Sequence, residues 1–208
     1  MSTGPKNVKT HLFMNSFDQP ARKYLTPEEI KALLEAAKNG TTRNPERDYC
    51  ILVLLYHHAL RVSELCNLRL SDIDLNANTL YVRHQKSGTG SRTHPSVHPL
   101  YKSDLAAIRT WLKVRQAMQL DHPFLFSSER RARLCRASVW RMVGMVGEAA
   151  GLGQLKVHPH SLRHACGYTL INKDVPIRTV QSFLGHKSIQ TTVRYTELAP
   201  NRFDKLYS

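Results

Sequence analysis

The sequence predicts a mainly α-helical fold with a small antiparallel β-sheet, an α+β arrangement. Along most of the chain, helix-capping residues are followed by apolar residues three and four positions apart, which is the pattern of amphipathic helices. Residues 72–99 differ, because a strand-like stretch leads into the flexible tip Gly88-Thr89-Gly90 and a second stretch returns from it. At 208 residues, the chain is long enough to bury a substantial core.

The first helices are predicted from their caps and their apolar spacing. Thr26 is a favourable N-cap, Glu29 completes a capping box with it, and Gly40 is a favourable stop. A second helix over about 46–59 is apolar on all sides in its middle, so we expect it to be central and buried. Arg61 follows this helix directly and precedes a short third helix.

The hairpin and the later helices are predicted by the same criteria. Residues 79–83 have the composition of a strand, and the chain is expected to return over 93–97, with Lys86 beside the tip. Five helices are predicted after the hairpin, and serines are expected to cap the first two. Their predicted starts, in chain order, are Ser103, Ser138, Pro159, Pro176 and Ser188.

The charge balance favours a polyanionic partner. The chain has 30 Lys and Arg residues against 16 Asp and Glu residues, a formal net charge of +14 at pH 7. Each phosphate that such a protein neutralises releases condensed counterions, which favours binding. One arginine-rich segment is expected to bind DNA, with a solvated charged loop as the alternative. Its members are Arg130, Arg131, Arg133, Arg136 and Arg141.

Several protein classes fit the sequence poorly. No apolar run approaches the roughly 20 residues that a membrane span needs. The N-terminal segment lacks an apolar signal-peptide core, so a cytoplasmic protein without a membrane partner is expected. The four cysteines are scattered and form no CxxC pair, which indicates neither a disulfide framework nor a zinc finger.

Five polar residues have the types and order expected of a phosphate-handling site with its own nucleophile: Arg61, His160, Arg163, His186 and Tyr195. A tyrosine phenol can attack a phosphodiester, and cationic side chains can stabilise the charge that develops. His160 and Arg163 are three residues apart near a helix start, so they share a face. A guanidinium can contact two phosphate oxygens at once, which an ammonium cannot do.

These residues lie in motifs that closely resemble those of the tyrosine recombinase (phage integrase) family. The resemblance covers about residues 23–197, nearly the whole chain, and the motifs occur in the family's order. The matching stretches are Ala59-Leu-Arg-Val-Ser-Glu-Leu65, His158-Pro-His-Ser-Leu-Arg-His-Ala165, Leu184-Gly-His186 and Thr191-Thr-Val-Arg-Tyr195. Within the family, the small size, residues 92–95 and residues 158–167 resemble the short fimbrial phase-variation recombinases most.

The resemblance implies a role for each residue at the reacting phosphate. Tyr195 would be the nucleophile and would leave a 3′-phosphotyrosyl link with a free 5′-hydroxyl. Arg61 and Arg163 would hold the scissile phosphate, and His160 would assist proton transfer from Tyr195.

The resemblance also implies supporting roles around that centre. Lys86 would be the general acid for the 5′-oxygen, although Lys102 also lies nearby in the sequence. His186 would hydrogen-bond the phosphate, and Glu64 would buttress Arg61.

The implied activity is site-specific recombination of double-stranded DNA by two transesterifications through a Holliday junction, with inversion of a promoter element as one outcome. No metal or other cofactor is expected. The implied partners are double-stranded DNA, a homotetramer on that DNA and accessory DNA-bending proteins.

The expected organisation is a flexible N-terminal arm (1–22), a catalytic domain (23–197) and a C-terminal tail (198–208) that contacts a neighbouring subunit or its own domain. Most members of the family have a further N-terminal domain, so the chain is expected to be either a short-form enzyme or an excised catalytic domain.

Two other function classes fit the sequence less well. A metal-dependent nuclease or transposase needs clustered carboxylates, and the close pair Asp72 and Asp74 is better explained by a turn. His158, His160 and His164 match no common zinc spacing. A non-catalytic basic DNA-binding regulator fits the charge and the helices but would not need Tyr195, and it remains the alternative.

Overall fold

The computed structural model describes residues 24–83 and 96–197. Within these ranges the chain forms eight α-helices, two 3₁₀ turns and a three-stranded antiparallel sheet, which confirms the predicted fold class. The helices are α1 (Pro27–Lys38), α2 (Pro45–His57), α3 (Val62–Asn67), α4 (Lys102–Ala117), α5 (Arg136–Ala149), α6 (Pro159–Asn172), α7 (Ile177–Leu184) and α8 (Ile189–Glu197). The strands are β1 (Ile73–Asp74), β2 (Thr79–Val82) and β3 (Ser96–Pro99). The predicted arm and tail, Lys86 and residues 92–95 lie outside the described residues.

The first two helices form as their sequences predict. Thr26 Oγ1 accepts a hydrogen bond from the Glu29 amide at 3.2 Å, and the Glu29 carboxylate accepts one from the Thr26 amide at 2.7 Å. Gly40 follows α1 with a φ of 80°, a left-handed conformation that glycine adopts without a steric cost. The middle of α2 is fully enclosed in the core. These observations confirm the capping box of α1 and the central position of α2.

The predicted caps of α4 and α5 are wrong. Helix α4 begins at Lys102, because the Asp104 carboxylate accepts the Tyr101 amide at 2.8 Å and so makes Tyr101 the N-cap. Helix α5 begins with Cys135 as its N-cap. Ser138 then lies inside the first turn, where its hydroxyl contacts the Cys135 sulfur at 3.1 Å. In both helices the serine is inside the helix rather than at its boundary.

The small sheet has the order β1-β2-β3, with Leu80 opposite His98 in the β2–β3 pair. Leu80 and Val82 of β2 are buried and join the sheet to the helical core. Asp72 caps the turn before β1 by accepting the Arg69 amide, and it also pairs with Arg83. Asp72 therefore has a structural role, in agreement with its assignment to a turn.

The apolar core has two parts that share α6. The larger part packs α2 against α1, α4 and α6. The smaller part lies where the end of α2 meets α6, α7 and α8, and it includes Ala59, Cys166, Leu184 and Tyr195. Tyr195 therefore lies within a packed apolar cluster rather than on an open surface.

A buried carboxylate joins the sheet side of the molecule to the end of α2. Asp104, at the start of α4, is fully buried and lies 2.5 Å from His57 Nδ1 and 3.5 Å from His58 Nε2. Burial opposes ionisation of Asp104, but the hydrogen bonds from His57 and the Tyr101 amide, together with the nearby His58 ring, lower its pKa below the ordinary value of 3.8. This carboxylate fixes the chain two residues before Ala59, where the candidate site begins.

We expect Asp104→Asn to lower the free energy of unfolding by about 2 kcal/mol at pH 7, since charge-assisted hydrogen bonds to a buried group are lost. A carboxyl whose folded-state pKa is depressed contributes stability above its unfolded pKa and loses it as pH falls through the folded one. The difference from wild type should therefore be complete above about pH 4 and shrink below it. Urea unfolding of wild type and Asp104→Asn at pH 7 and at pH 3 measures the difference in free energy of unfolding at each pH. An equal difference at both pH values would contradict the role of the charge.

Candidate active site

One face of α6 presents four of the residues that build the site. His160, Arg163, His164 and Gly167 are separated by three, one and three positions in this helix, so they form a single stripe along it. The start of α6 is fixed by His158, whose Nδ1 accepts the Ser161 amide at 3.3 Å. The His158 ring also stacks on Trp140 of α5, with centroids 4.9 Å apart. Pro159 opens the helix, as the sequence predicts.

Arg163 joins three segments at the centre of the site. Its side chain is buried, and its two terminal nitrogens donate hydrogen bonds to the main-chain carbonyls of Ala59 and Leu184. These carbonyls belong to the segments that follow α2 and end α7. The guanidinium is thereby held in one orientation, with its planar fork fixed by two independent parts of the chain.

Arg61 lies beside Arg163 at the start of α3 and is more exposed. Its Nη1 donates to Glu64 Oε1 at 2.8 Å, and its Nη2 donates to the Gly185 carbonyl at 3.0 Å. The other oxygen of Glu64 accepts the Arg61 amide at 2.8 Å. Because the Glu64 carboxylate is buried, this ion pair is less screened than a surface pair.

Two residues with a left-handed backbone conformation turn the chain beside the two guanidiniums. Ala59 has a φ of 50° and Gly185 a φ of 61°. For a residue with a Cβ, this conformation costs about 1–2 kcal/mol, so the contacts around Ala59 must offset that cost. Gly185 carries no such cost and ends α7, as its position in the sequence predicts. The carbonyls of both residues accept hydrogen bonds from the arginines.

His186 and His160 are held in the neutral form. Burial, together with Arg163 and Arg61, lowers the pKa of His186 to about 4. Its Nδ1 lies 2.9 Å from the hydroxyl of the buried Thr192 in α8, which orients the ring. Burial and the nearby Arg163 also lower the pKa of His160. At neutral pH both rings can therefore exchange hydrogen bonds without adding charge to a strongly cationic site.

Tyr195 lies against the α6 stripe with its hydroxyl directed along it. The residue is 4% exposed, and its Oη is 3.0 Å from His164 Nδ1. The ring is nearly parallel to that of His186 at a centroid distance of 6.2 Å. It passes so close to Gly167 that a Cβ built there would be 2.8 Å from Cζ. Burial raises the pKa of the phenol, and the charge of Arg163 partly offsets this.

The structure brings together the five predicted residues of the centre, and Glu64 is paired with Arg61 as expected. Lys86 lies outside the described residues, and Lys102 is an exposed residue of the first turn of α4. Sequence reasoning missed His164, Gly167 and Thr192 as members of the site. The helical spacing from His160 could have identified the first two, whereas nothing local to Thr192 indicates its contact with His186.

The predicted arginine patch is only partly assembled. Arg130, Arg133 and Arg141 line a hollow of about 890 Å³ beside the start of α5. Arg131 instead donates to the Met118 carbonyl at 2.8 Å. Arg136 begins α5 and is not among the residues that line the hollow. The hollow also contains acidic side chains, so its charge is mixed: Asp48 and Glu129.

Gly167→Ala is expected to lower both stability and activity. An alanine usually stabilises an exposed helix interior by about 1 kcal/mol relative to glycine, but here the added methyl would collide with the Tyr195 ring. The matched control is Gly144→Ala in α5, where nothing lies within 4 Å of the added carbon. Thermal unfolding should show a lower Tm than wild type for Gly167→Ala and a higher Tm for Gly144→Ala. A stabilised Gly167→Ala protein would contradict the close packing of Tyr195.

The described residues contain neither a metal-binding cluster nor a membrane-spanning helix. No group of three or more His, Cys, Asp or Glu side chains among them could hold a metal ion. None of their helices has both the length and the apolar character that crossing a bilayer requires. His158 and His164, considered above as metal ligands, instead cap α6 and contact Tyr195.

Comparisons with known proteins agree with this geometry. The Type 1 fimbriae regulatory protein FimB of Escherichia coli strain K12 is 37% identical over 190 residues, which cover 91% of each chain. Tyrosine recombinase XerA of Pyrococcus furiosus is 39% identical over 179 residues, which cover 85% of this chain and 57% of that protein. A crystal structure of XerA recombinase has a TM-score of 0.75 at 35% identity, covering 88% of this chain and 63% of that one. The sequence pattern of the phage integrase family matches residues 23–202, and the chain belongs to that family.

Proposed function

We propose that this protein is a site-specific recombinase that cuts and rejoins double-stranded DNA through a 3′-phosphotyrosyl intermediate on Tyr195. The observation that supports this most strongly is the packing of the buried Tyr195 phenol, from α8, against the α6 face that carries Arg163, with Arg61 and His186 nearby. A nucleophile, two fixed guanidiniums and neutral histidines are the groups that a metal-free transesterification of a phosphodiester requires.

In the cleavage step, Tyr195 Oη attacks the scissile phosphorus in line with the 5′-oxygen. The Oη–P bond forms, the P–O5′ bond breaks, and the phenolic proton passes to a histidine of the site. Lys86 protonates the departing 5′-oxygen. Arg61, Arg163 and His186 stabilise the charge on the non-bridging oxygens of the transition state. A 5′-hydroxyl from another strand then reverses the step and releases Tyr195.

The energetics of this scheme need no cofactor. The phosphotyrosyl link replaces one phosphodiester by another, so the energy of the broken bond is retained for rejoining. Holding both arginines through main-chain carbonyls and Glu64 means that they need little rearrangement when DNA binds. The protein therefore supplies orientation and electrostatic stabilisation rather than chemical energy.

The proposal includes an assembly and a location. Exchange between two duplexes uses four cleavage events, so the active form is a homotetramer on DNA, assisted by DNA-bending proteins. Residues 23–197 form the catalytic domain, and the protein acts in the cytoplasm on the DNA. Inversion of a promoter element is the outcome that we propose from the resemblance to the fimbrial phase-variation recombinases.

The direct test is to capture and map the covalent intermediate. Inverted repeats in DNA flanking the gene supply candidate sites, which are built into a nicked substrate that loses its 5′-hydroxyl fragment after cleavage. The expected product is a protein–DNA adduct that resists denaturation. Mass spectrometry should locate the attached DNA on the peptide that contains Tyr195. Specific binding without any adduct would instead support a non-catalytic DNA-binding regulator. Attachment at another residue would overturn the assignment of the nucleophile.

The arginine-lined hollow provides a further prediction about DNA binding. Arg130 and Arg141 are exposed and line it. If each contacts a phosphate, the Arg130→Ala/Arg141→Ala variant should reduce the slope of log K against log salt by about 2. The control is Arg109→Ala/Lys113→Ala, which removes two exposed charges from α4. Fluorescence anisotropy over a salt series measures both slopes. An unchanged slope in the first variant would favour a solvated charged surface.

A further inference from the structure

We propose that His164 is the residue that accepts the proton of Tyr195 during cleavage. The inference rests on the proposed function and names the base for its first chemical step. Its starting observation is the 3.0 Å contact between His164 Nδ1 and Tyr195 Oη. Among the described residues, no other group forms a hydrogen bond with that hydroxyl.

The position of the phenol explains why His164 reaches the oxygen that reacts. The Tyr195 ring lies over Gly167, where the helix has no side chain to displace it. From there its hydroxyl reaches back by about one turn of α6 to His164, the residue next to Arg163. The hydroxyl therefore lies on the side of α6 that carries Arg163, the residue proposed to hold the phosphate.

The second histidine of the stripe supports the first. The rings of His160 and His164 meet edge to face with their centroids 4.4 Å apart. His160 thus contacts the imidazole that contacts the nucleophile. The assistance to proton transfer that the family resemblance implies for His160 is accounted for by this contact, with His164 between His160 and Tyr195.

The proton transfer balances without any further reactant. A neutral imidazole with its proton on Nε2 accepts the phenolic hydrogen bond at Nδ1. As the Oη–P bond forms, the Oη–H bond breaks and an Nδ1–H bond forms. The negative charge that develops on the phosphate stabilises the imidazolium that forms in the transition state. In rejoining, the Nδ1 proton returns to Tyr195.

The test compares variants of the full chain on the nicked substrate. His164→Ala should form the adduct about 10²–10³ times more slowly than wild type, as expected for loss of a general base. Its DNA affinity should be unchanged, and added imidazole should restore part of the rate. His164→Asn retains a hydrogen-bonding group near the phenol but cannot take its proton at neutral pH, so it should also be slow. The control is His122→Ala, since His122 contacts Phe124 and Arg115 instead of the site.

A second substrate separates this role from that of the leaving-group acid. A substrate with sulfur in place of the 5′-bridging oxygen has a leaving group that departs without protonation. This substrate should restore the rate of adduct formation in Lys86→Ala but not in His164→Ala. A His164→Asn protein as fast as wild type would show that His164 only holds the phenol. A His164→Ala protein within about threefold of wild type, or restored by the sulfur substrate, would also overturn the inference. A wild-type protein that forms no adduct would overturn the proposed function itself, and the inference with it.

Discussion

Tyr195→Phe is expected to leave a folded, DNA-binding protein that forms no covalent adduct, a loss of at least about 10⁴-fold in cleavage rate, because the nucleophile itself is removed. The phenylalanine ring can keep the packing over Gly167 and beside His186. Only the hydrogen bond to His164 is lost, so the free energy of unfolding should change by about 1 kcal/mol. Activity and stability should therefore separate clearly in this variant.

The chain offers a matched control for this experiment. Tyr56 is partly buried and, like Tyr195, has one side-chain hydrogen bond, in its case to the Thr169 hydroxyl at 3.2 Å. Tyr56→Phe should have a similar effect on stability but retain adduct formation. Denaturing gels on the nicked substrate and band shifts on the intact site measure the two properties. Adduct formation by Tyr195→Phe at a rate near that of wild type would show that another residue attacks the phosphate.

The sequence predicts best those parts of the site that depend on local geometry. Pro159 and the i, i+3 spacing are sufficient to place His160 and Arg163 on one face at the start of α6. Gly185 is sufficient to predict a left-handed stop before His186. In each case the determining residues are within one helical turn of the feature, so the pattern contains the physical cause.

The parts that escape prediction depend on contacts between distant segments. The two carbonyls that orient Arg163 come from Ala59 and Leu184, which are 104 and 21 residues away in sequence. No local pattern contains that information. The contact of Tyr195 with His164 spans 31 residues and depends on how α8 packs on α6. The sequence around His164 shows only that its spacing fits no zinc site, and it contains no sign of the contact with the nucleophile.

The same limit explains the arginine segment. Its five members are close in sequence, but neighbouring arginines have different surroundings once the loop and α5 are formed. Arg131 donates to the Met118 carbonyl at 2.8 Å, while the neighbouring Arg130 faces the hollow. Charge density along a sequence thus indicates a basic region, but folding decides which guanidiniums are available to a phosphate.

Arg163→Lys is expected to reduce cleavage by about 10³-fold although it keeps the positive charge, because loss of one transition-state donor costs about 10²–10³-fold and the planar fork is lost as well. An ammonium cannot donate to the Ala59 and Leu184 carbonyls while also contacting two phosphate oxygens. A buried carbonyl left without its donor should lower the free energy of unfolding by about 1–3 kcal/mol. Both losses have one cause, the fixed geometry of the guanidinium.

The control for charge alone is Arg178→Lys in α7, whose guanidinium is exposed and contacts Gln181. This variant should match wild type in adduct formation and in urea unfolding. If the positive charge of Arg163 were sufficient, Arg163→Lys would also remain within about tenfold of wild type. If the fork is required, as the two carbonyl contacts indicate, Arg163→Lys should be nearly as slow as Arg163→Met, which has neither charge nor donors. The ratio between these two variants therefore measures how much of the catalysis at this position comes from charge and how much from orientation.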